Sequence, residues 1–360
     1  MGIRDVMRFG LLFWAFTVAG TQTLAAAEAL PCLTPNDNCV ERLPVKDGWI
    51  RIFSTHPLRG DGLNVPSAGA PVAAQAPRRA LVMVHGAQRN GDGYFGTALA
   101  AAASQGQLLD TVIVAPSFKG IDGSLCRDTV EDGELVFGCQ AWNAGFAAVN
   151  SELKATSFDA VDRILQLLGD RQRFPNLKSI VVAGHSGGGQ FVQRYAAANH
   201  AETRLHIPVR YVVANPSSYV YLNDARLRPE ASCTQDGICT GGFGPYWDRN
   251  NCSGYNKYRY GLEGLSGYIA TLTVGTIRRQ YVKRDVTYLL GDLDTLQDSD
   301  LDKSCAAQAQ GPNRRERGLI FWNYMRAEFQ AGHQIVVVPR CGHNAACMFT
   351  SQTGARVLFP

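Results

Sequence analysis

Charge is scarce in this chain of 360 residues: Asp, Glu, Lys and Arg together make up 18%, and the formal net charge is only +4. No dense Lys/Arg stripe runs along any segment, so the electrostatic footprint of a nucleic-acid binder is missing and no nucleic-acid partner is expected. There is no C-x-x-C pair and no H-E-x-x-H run, so the common zinc spacings are absent. Asp298, Asp300 and Asp302 lack the Gly and Glu of a calcium loop and read as a solvated acidic stretch. Past the N-terminal segment, no run stays apolar for the roughly 20 residues that a spanning helix needs. Long polar low-complexity tracts are also missing. With 46% apolar residues, the composition is that of a globular chain rather than a disordered one.

What is present begins at the N-terminus. Arg4 and Arg8 give a basic start, an apolar stretch follows from Phe9 to about Leu24, and Ala25-Ala26-Ala27 offers an A-x-A cleavage site. Residues 1–27 therefore read as a signal peptide, with a secreted or periplasmic destination and no stable membrane insertion after cleavage. A membrane anchor is the competing reading, disfavoured by the shortness of the apolar run. Ten cysteines suit an oxidising compartment. Their spacing suggests local pairs Cys32–Cys39, Cys126–Cys139, Cys233–Cys239 and Cys341–Cys347, which leaves Cys252 for Cys305.

Hydrophobic periodicity then alternates between two kinds. Trp49–Thr55 alternates as a strand does, and residues 59–77 read as a surface loop. Short buried strands are expected at Ala80–Val84, Thr111–Ala115, Ser179–Ala183, Val209–Ala214, Asp285–Leu290 and Gln334–Val338. Helices are expected at about Tyr94–Ser104, Phe158–Leu168 with Ser157 as N-cap, Gln190–Ala198 and about Arg314–Gln330. Strand–helix alternation implies a mostly parallel sheet with helices on both faces, and ligands then bind beyond the carboxyl ends of the strands. Residues 28–47 read as an irregular lead-in. Segments 119–156 and 222–265 follow strand ends and are expected to project over the active face as cap insertions in a single domain, 28–360.

The chemistry-bearing residues collect after strands. Gly184-His185-Ser186-Gly187-Gly188 fits G-x-S-x-G between a strand and a helix, where glycines permit a tight turn and the helix amino end favours negative charge. Ser186 needs a base, and His343, directly after the last strand, is the best of the seven histidines. His185 is expected to shape the turn and aim elsewhere. The base needs a carboxylate, for which Gly291-Asp292-Leu293-Asp294 offers two candidates. Asp294 is preferred, because the turn after Gly291 should bring the later residue round to the imidazole; Asp292 is the alternative. Oxyanion donors are expected from the backbone of Gly187 and of Ala87, with Gln88 as second choice. Arg89 reads as an anchor of that loop. Gln88, Trp142 and Tyr219 are the expected substrate-binding side chains.

On His85-Gly86, GHSGG, GDLD and CGH, the chain resembles the α/β-hydrolase superfamily from about residue 48 to 360. The resemblance implies an eight-stranded, mostly parallel sheet and a Ser186–Asp294–His343 triad, with no metal and no organic cofactor. It implies a secreted serine hydrolase acting on a small-molecule or polymer ester. Peptidase or amidase activity on the same residues is the alternative, and a non-catalytic binding protein a weaker one. Aromatics at Phe243, Tyr246, Trp247, Tyr255, Tyr258, Tyr260 and Tyr268 either line a site for sugars, aryl groups or polymer chains or pack the 222–265 segment, and packing is preferred. With no large apolar flap in sight, short or aromatic acyl groups are expected over long-chain lipids.

Overall fold

A computed structural model describes residues 31–35, 39–58, 77–123, 126–234 and 239–360. The expected signal peptide, 1–27, and nearly all of the 59–77 loop lie outside the described residues. One sheet of eight strands organises the rest: β1 (Val40–Val45), β2 (Gly48–Ser54), β3 (Arg79–Val84), β4 (Thr111–Ser117), β5 (Ser179–His185), β6 (Val209–Ala214), β7 (Asp285–Gly291) and β8 (Gln334–Val338). Their spatial order is β1-β2-β4-β3-β5-β6-β7-β8. β1, β2 and β4 pair antiparallel, and every later pairing is parallel.

Strand side chains alternate between two cores. Val82, Val84, Val182 and Val213 join one apolar cluster, while Leu81, Met83, Val181 and Val212 join the other. Helices cover both clusters. On the first lie α2 (Ser157–Leu168), α3 (Gly187–Ala198), α4 (Val274–Lys283) and α6 (Arg314–Phe329), which follows the short α5 (Cys305–Gln308). On the second lie α1 (Gly91–Ser104), α7 (Ala345–Thr350) and α8 (Gln352–Leu358).

The structure differs from the sequence reading at β1, at the N-cap of α2 and at α4, a helix the sequence reading did not find. Part of the lead-in is β1, whose inward residues Leu43 and Val45 are too few to register as a pattern. Pro44 interrupts it, which an edge strand tolerates. The N-cap of α2 is Thr156, not Ser157: Thr156 and Asp159 form a reciprocal capping box, and the Ser157 hydroxyl instead donates to the Trp142 carbonyl at 2.5 Å. Segments 119–156 and 222–265 hold only short pieces, among them Lys119–Asp122 with Val136–Phe137 and Ala225–Leu227 with Phe243–Pro245. They lean on one another, Tyr258 Oη donating to the Ala144 carbonyl at 2.6 Å and Arg259 to that of Gln140 at 2.8 Å.

Disulfides join Cys32–Cys39, Cys126–Cys139, Cys252–Cys305 and Cys341–Cys347, as the spacing suggested. Cys233 faces Cys239 across a short hairpin, and its side chain lies outside the described residues. No helix among the described residues is long and apolar enough to cross a membrane.

Candidate active site

Close packing, rather than the serine itself, dictates the turn at Ser186. A Cβ on Gly188 would sit closer than 3.0 Å to the carbonyl oxygens of Val84 and His85, and one on Gly184 equally close to Gly188. Only glycine lets β5 hand over to α3 so tightly against β3. Ser186 takes up the geometry in its own backbone, with φ 59° and ψ −119°, a left-side conformation that a non-glycine residue holds only when the surroundings enforce it. Its hydroxyl is thereby presented at the carboxyl end of the sheet, at the amino end of α3.

Two loops bring partners to that hydroxyl. His343 Nε2 lies 2.9 Å from Ser186 Oγ, and His343 Nδ1 lies 2.8 Å from Asp294 Oδ2. Asp294 is 1% exposed. The loops are zipped together by their backbones: Asp292 N–H donates to Val338 O at 3.1 Å, and Leu293 N–H to Cys341 O at 3.0 Å. Asp292 has a different task from Asp294, since its Oδ1 accepts from the Cys341 amide at 3.2 Å. The Cys341–Cys347 disulfide closes the short loop that carries His343.

His185 does not aim away. Its ring centroid is 4.5 Å from that of His343, and its nitrogens face Tyr94 Oη at 3.3 Å and Asn215 Nδ2 at 3.5 Å. Burial, with a smaller contribution from His343, pushes its pKa well below the ordinary imidazole value, so it stays neutral beside the second ring. Asn215 ties the site together by accepting from the Gly291 amide at 2.9 Å.

The loop after β3 is set from below. Buried His85 accepts from the Phe118 amide at Nε2 (3.0 Å) and lies 2.9 Å from the Gly86 carbonyl at Nδ1. Burial holds its pKa down at about 4. Arg89 is an anchor, paired with Asp128 at 2.6 Å and donating to the Ala87 carbonyl at 2.6 Å. The Ala87 amide nitrogen comes within 3.1 Å of where a Gly187 Cβ would be, so the two amides converge beside Ser186. Neither has a hydrogen-bond partner among the described residues.

A cleft of ≈ 380 Å³ opens here, lined by Gln88, Asn90, Tyr94, Thr97, Asp300 and Asn344 together with Ser186 and His343. Gln88, an expected substrate-binding side chain, lines the cleft. Trp142 and Tyr219 are corrections, since both are 0% exposed. Trp142 is stacked between His85, Phe118 and Phe191, and Tyr219 lies flat on Phe321 at 4.4 Å. Flat aromatics fill gaps between sheet and helix, and sequence gives no sign of which face they take. Segments 119–156 and 222–265 contribute no described residue to the cleft lining. Nor is the acidic stretch simply solvated: Asp298 pairs with Arg314, Asp302 accepts from Tyr260, and Asp300 lines the cleft. Asn90 and Asn344 were missed, although Asn90 lies in the loop after β3 and Asn344 directly follows His343. No group of three His, Cys, Asp or Glu among the described residues could hold a metal ion.

A hydroxyl, an imidazole and a buried carboxylate in line, with two free amides beside the hydroxyl, can move a proton off the oxygen and stabilise a negative charge next to it. Comparison with known proteins agrees at the level of fold. A search among curated proteins returns no match. A poly(3-hydroxybutyrate) depolymerase from Bordetella parapertussis superposes with a TM-score of 0.57 at 23% identity, covering 89% of this chain and 90% of that one. A poly(aspartic acid) hydrolase from Sphingomonas sp. KT-1 gives 0.58 at 18% identity, over 89% and 98%. Residues 81–358 match the model of the alpha/beta hydrolase family, so this chain belongs to that family and is a hydrolase.

Proposed function

We propose that the protein is a secreted serine hydrolase that cleaves carboxylic esters through an acyl-enzyme, with residues 28–360 working as one catalytic unit. The observation that carries this reading is the continuous hydrogen-bond relay from Ser186 Oγ through His343 to Asp294 Oδ2, at 2.9 and 2.8 Å. Ser186 Oγ attacks the ester carbonyl carbon while His343 Nε2 takes its proton. Asp294 holds the imidazole in the tautomer that accepts at Nε2 and stabilises the imidazolium. The amides of Ala87 and Gly187 receive the oxyanion. His343 returns the proton to the departing alcohol, and a water then repeats the attack on the acyl carbon and frees the acid. The polar cleft, with Gln88, Asn90 and Asn344 on its walls, favours a short acyl group. The disulfides support an oxidising destination outside the cytosol.

The test is labelling of the mature protein with a fluorophosphonate, followed by peptide mapping. Adduct on Ser186, lost in Ser186→Ala, together with turnover of p-nitrophenyl acetate above aminoacyl amides, is the expected result. No adduct on folded protein contradicts the serine mechanism, and a preference for the amides contradicts the ester assignment.

A further inference from the structure

The outer oxygen of Asp294 has no hydrogen bond among the described residues, although the carboxylate is almost fully buried. A charged oxygen in that position is costly unless a cation stands beside it. One does. Arg314, the first residue of α6 and 0% exposed, brings Nη1 to 3.5 Å from Asp294 Oδ1. The same guanidinium forks onto Asp298, Nη1 to Oδ2 at 2.9 Å and Nη2 to Oδ1 at 2.8 Å, while its Nε donates to Ser217 Oγ at 3.2 Å. The neighbouring amide of Arg315 donates to the Asp294 carbonyl at 3.1 Å, so the start of α6 holds this residue through backbone and side chain together.

We propose that Arg314, charge-balanced by Asp298, is a positioning residue that holds Asp294 with Oδ2 towards His343 and sets the basicity of that histidine. The proposal rests on the reading of Ser186, His343 and Asp294 as the reacting relay. The charged and titratable groups around it are few. His185 faces His343 from the elbow, neutral through burial, with Tyr94 behind it. Asp292, Asp298 and Asp300 come from the loop after β7, and Arg314 comes from α6, with Arg317 and Asp302 further back. Among these, Arg314 alone pairs with Asp294 other than His343 itself. The guanidinium and the Asp298 carboxylate thus place opposite charges on the far side of Asp294 from His343.

The two partners should therefore move the acid limb of kcat/KM in opposite directions. Arg314→Gln leaves Asp298 and Asp294 as like charges, which favours the imidazolium and carries the limb to higher pH. Asp298→Asn leaves the guanidinium unbalanced and carries it to lower pH. Each shift should be about half a unit or more. Arg314→Lys keeps the charge but loses the fork, so the limb should stay near the wild-type position while kcat falls.

The experiment is kcat/KM for a short p-nitrophenyl ester from about pH 4 to about pH 9, with fluorophosphonate labelling of Ser186 and a thermal melt on each protein. Opposite shifts in proteins that still label support the assignment. Limbs that coincide, or that move the same way, overturn it while leaving the relay intact. Should Arg314→Gln not fold, the Asp298→Asn limb decides alone, since that carboxylate is only part-buried. A wild type whose Ser186 takes no probe overturns the relay reading and this assignment with it.

Discussion

In the sheet, each strand from β3 to β7 buries apolar side chains on both faces, and the loops beyond the carboxyl ends inherit fixed positions. Residues 222–265 have no such layer. A fully buried guanidinium, Arg226, lies at their start, donating to the carbonyls of Asn223, Ala225, Tyr255 and Tyr260 and lying 4.0 Å over the Tyr221 ring. Arg194 does a similar task for the other segment, reaching the Asn143 carbonyl at 3.1 Å and Ser218 Oγ at 3.0 Å. One region is ordered by a continuous apolar layer; the other has only a small cluster around Cys252 and Tyr255, the Cys252–Cys305 disulfide and a few directional bonds. Ser186, His343 and Asp294 sit on loops of the first.

If that contrast is right, the two regions should fail differently. The largest effect is expected in the sheet. Gly188→Val drives a branched side chain into the Val84 and His85 carbonyls, and neither strand can move. The cost should be about 3 kcal/mol or more, seen as loss of soluble, cooperatively melting protein. A stable Gly188→Val would mean that the elbow has slack and that the strained φ of Ser186 is not enforced by packing.

Next comes Arg226→Ala, which takes the donor from the buried carbonyls of Ala225 and Tyr255 and from the part-buried ones of Asn223 and Tyr260, at a cost of about 3 kcal/mol. The loss should be local. Limited proteolysis should open between residues 222 and 265 while Ser186 still takes a fluorophosphonate. Loss of labelling in step with proteolysis would join the two regions into one cooperative unit and break the comparison.

The third effect is graded with pH rather than tied to one substitution, and it belongs to the sheet region. His85 and His333 are held at about 4 by burial, and His185 is lowered too. Because the folded values lie below the unfolded one, the stability from these neutral rings is complete above about pH 6.5 and is lost as pH falls towards 4. Each ring should contribute about 1.4 kcal/mol per pH unit across that window. Melting temperature measured from neutral to acid pH should fall accordingly, and a flat profile would show that these rings are protonated in the fold.

The same contrast explains what the sequence could tell. Strands at Val209–Ala214 and Gln334–Val338 were legible to the residue, the first because a buried parallel strand is a short apolar run bounded by polar ends, the second, an edge strand with only Val338 buried, because its Ile-Val run is β-branched throughout. That Ser186, His343 and Asp294 would come together was legible because each stands just beyond the end of such a run. β1 was not, with two inward side chains and a proline. Helix α4 was not, since only Ile277 and Tyr281 are buried on it. Trp142 and Tyr219 were misjudged because an aromatic reads alike in a core and on a binding surface. The Arg314–Asp298 pair was missed because an ion pair leaves no periodic trace, and two charged residues read as surface.

Ser186 and His343, if they react as proposed, act as one device. The deciding measurement is kcat on p-nitrophenyl acetate for Ser186→Ala, His343→Ala and the double variant, with folding checked by near-ultraviolet circular dichroism. Residues that act as a unit give non-additive losses. Each single variant should fall by about four to six orders of magnitude, and the double variant should fall no further than the worse single one. Losses that multiply in the double variant, or a Ser186→Ala protein that keeps its turnover, would contradict it.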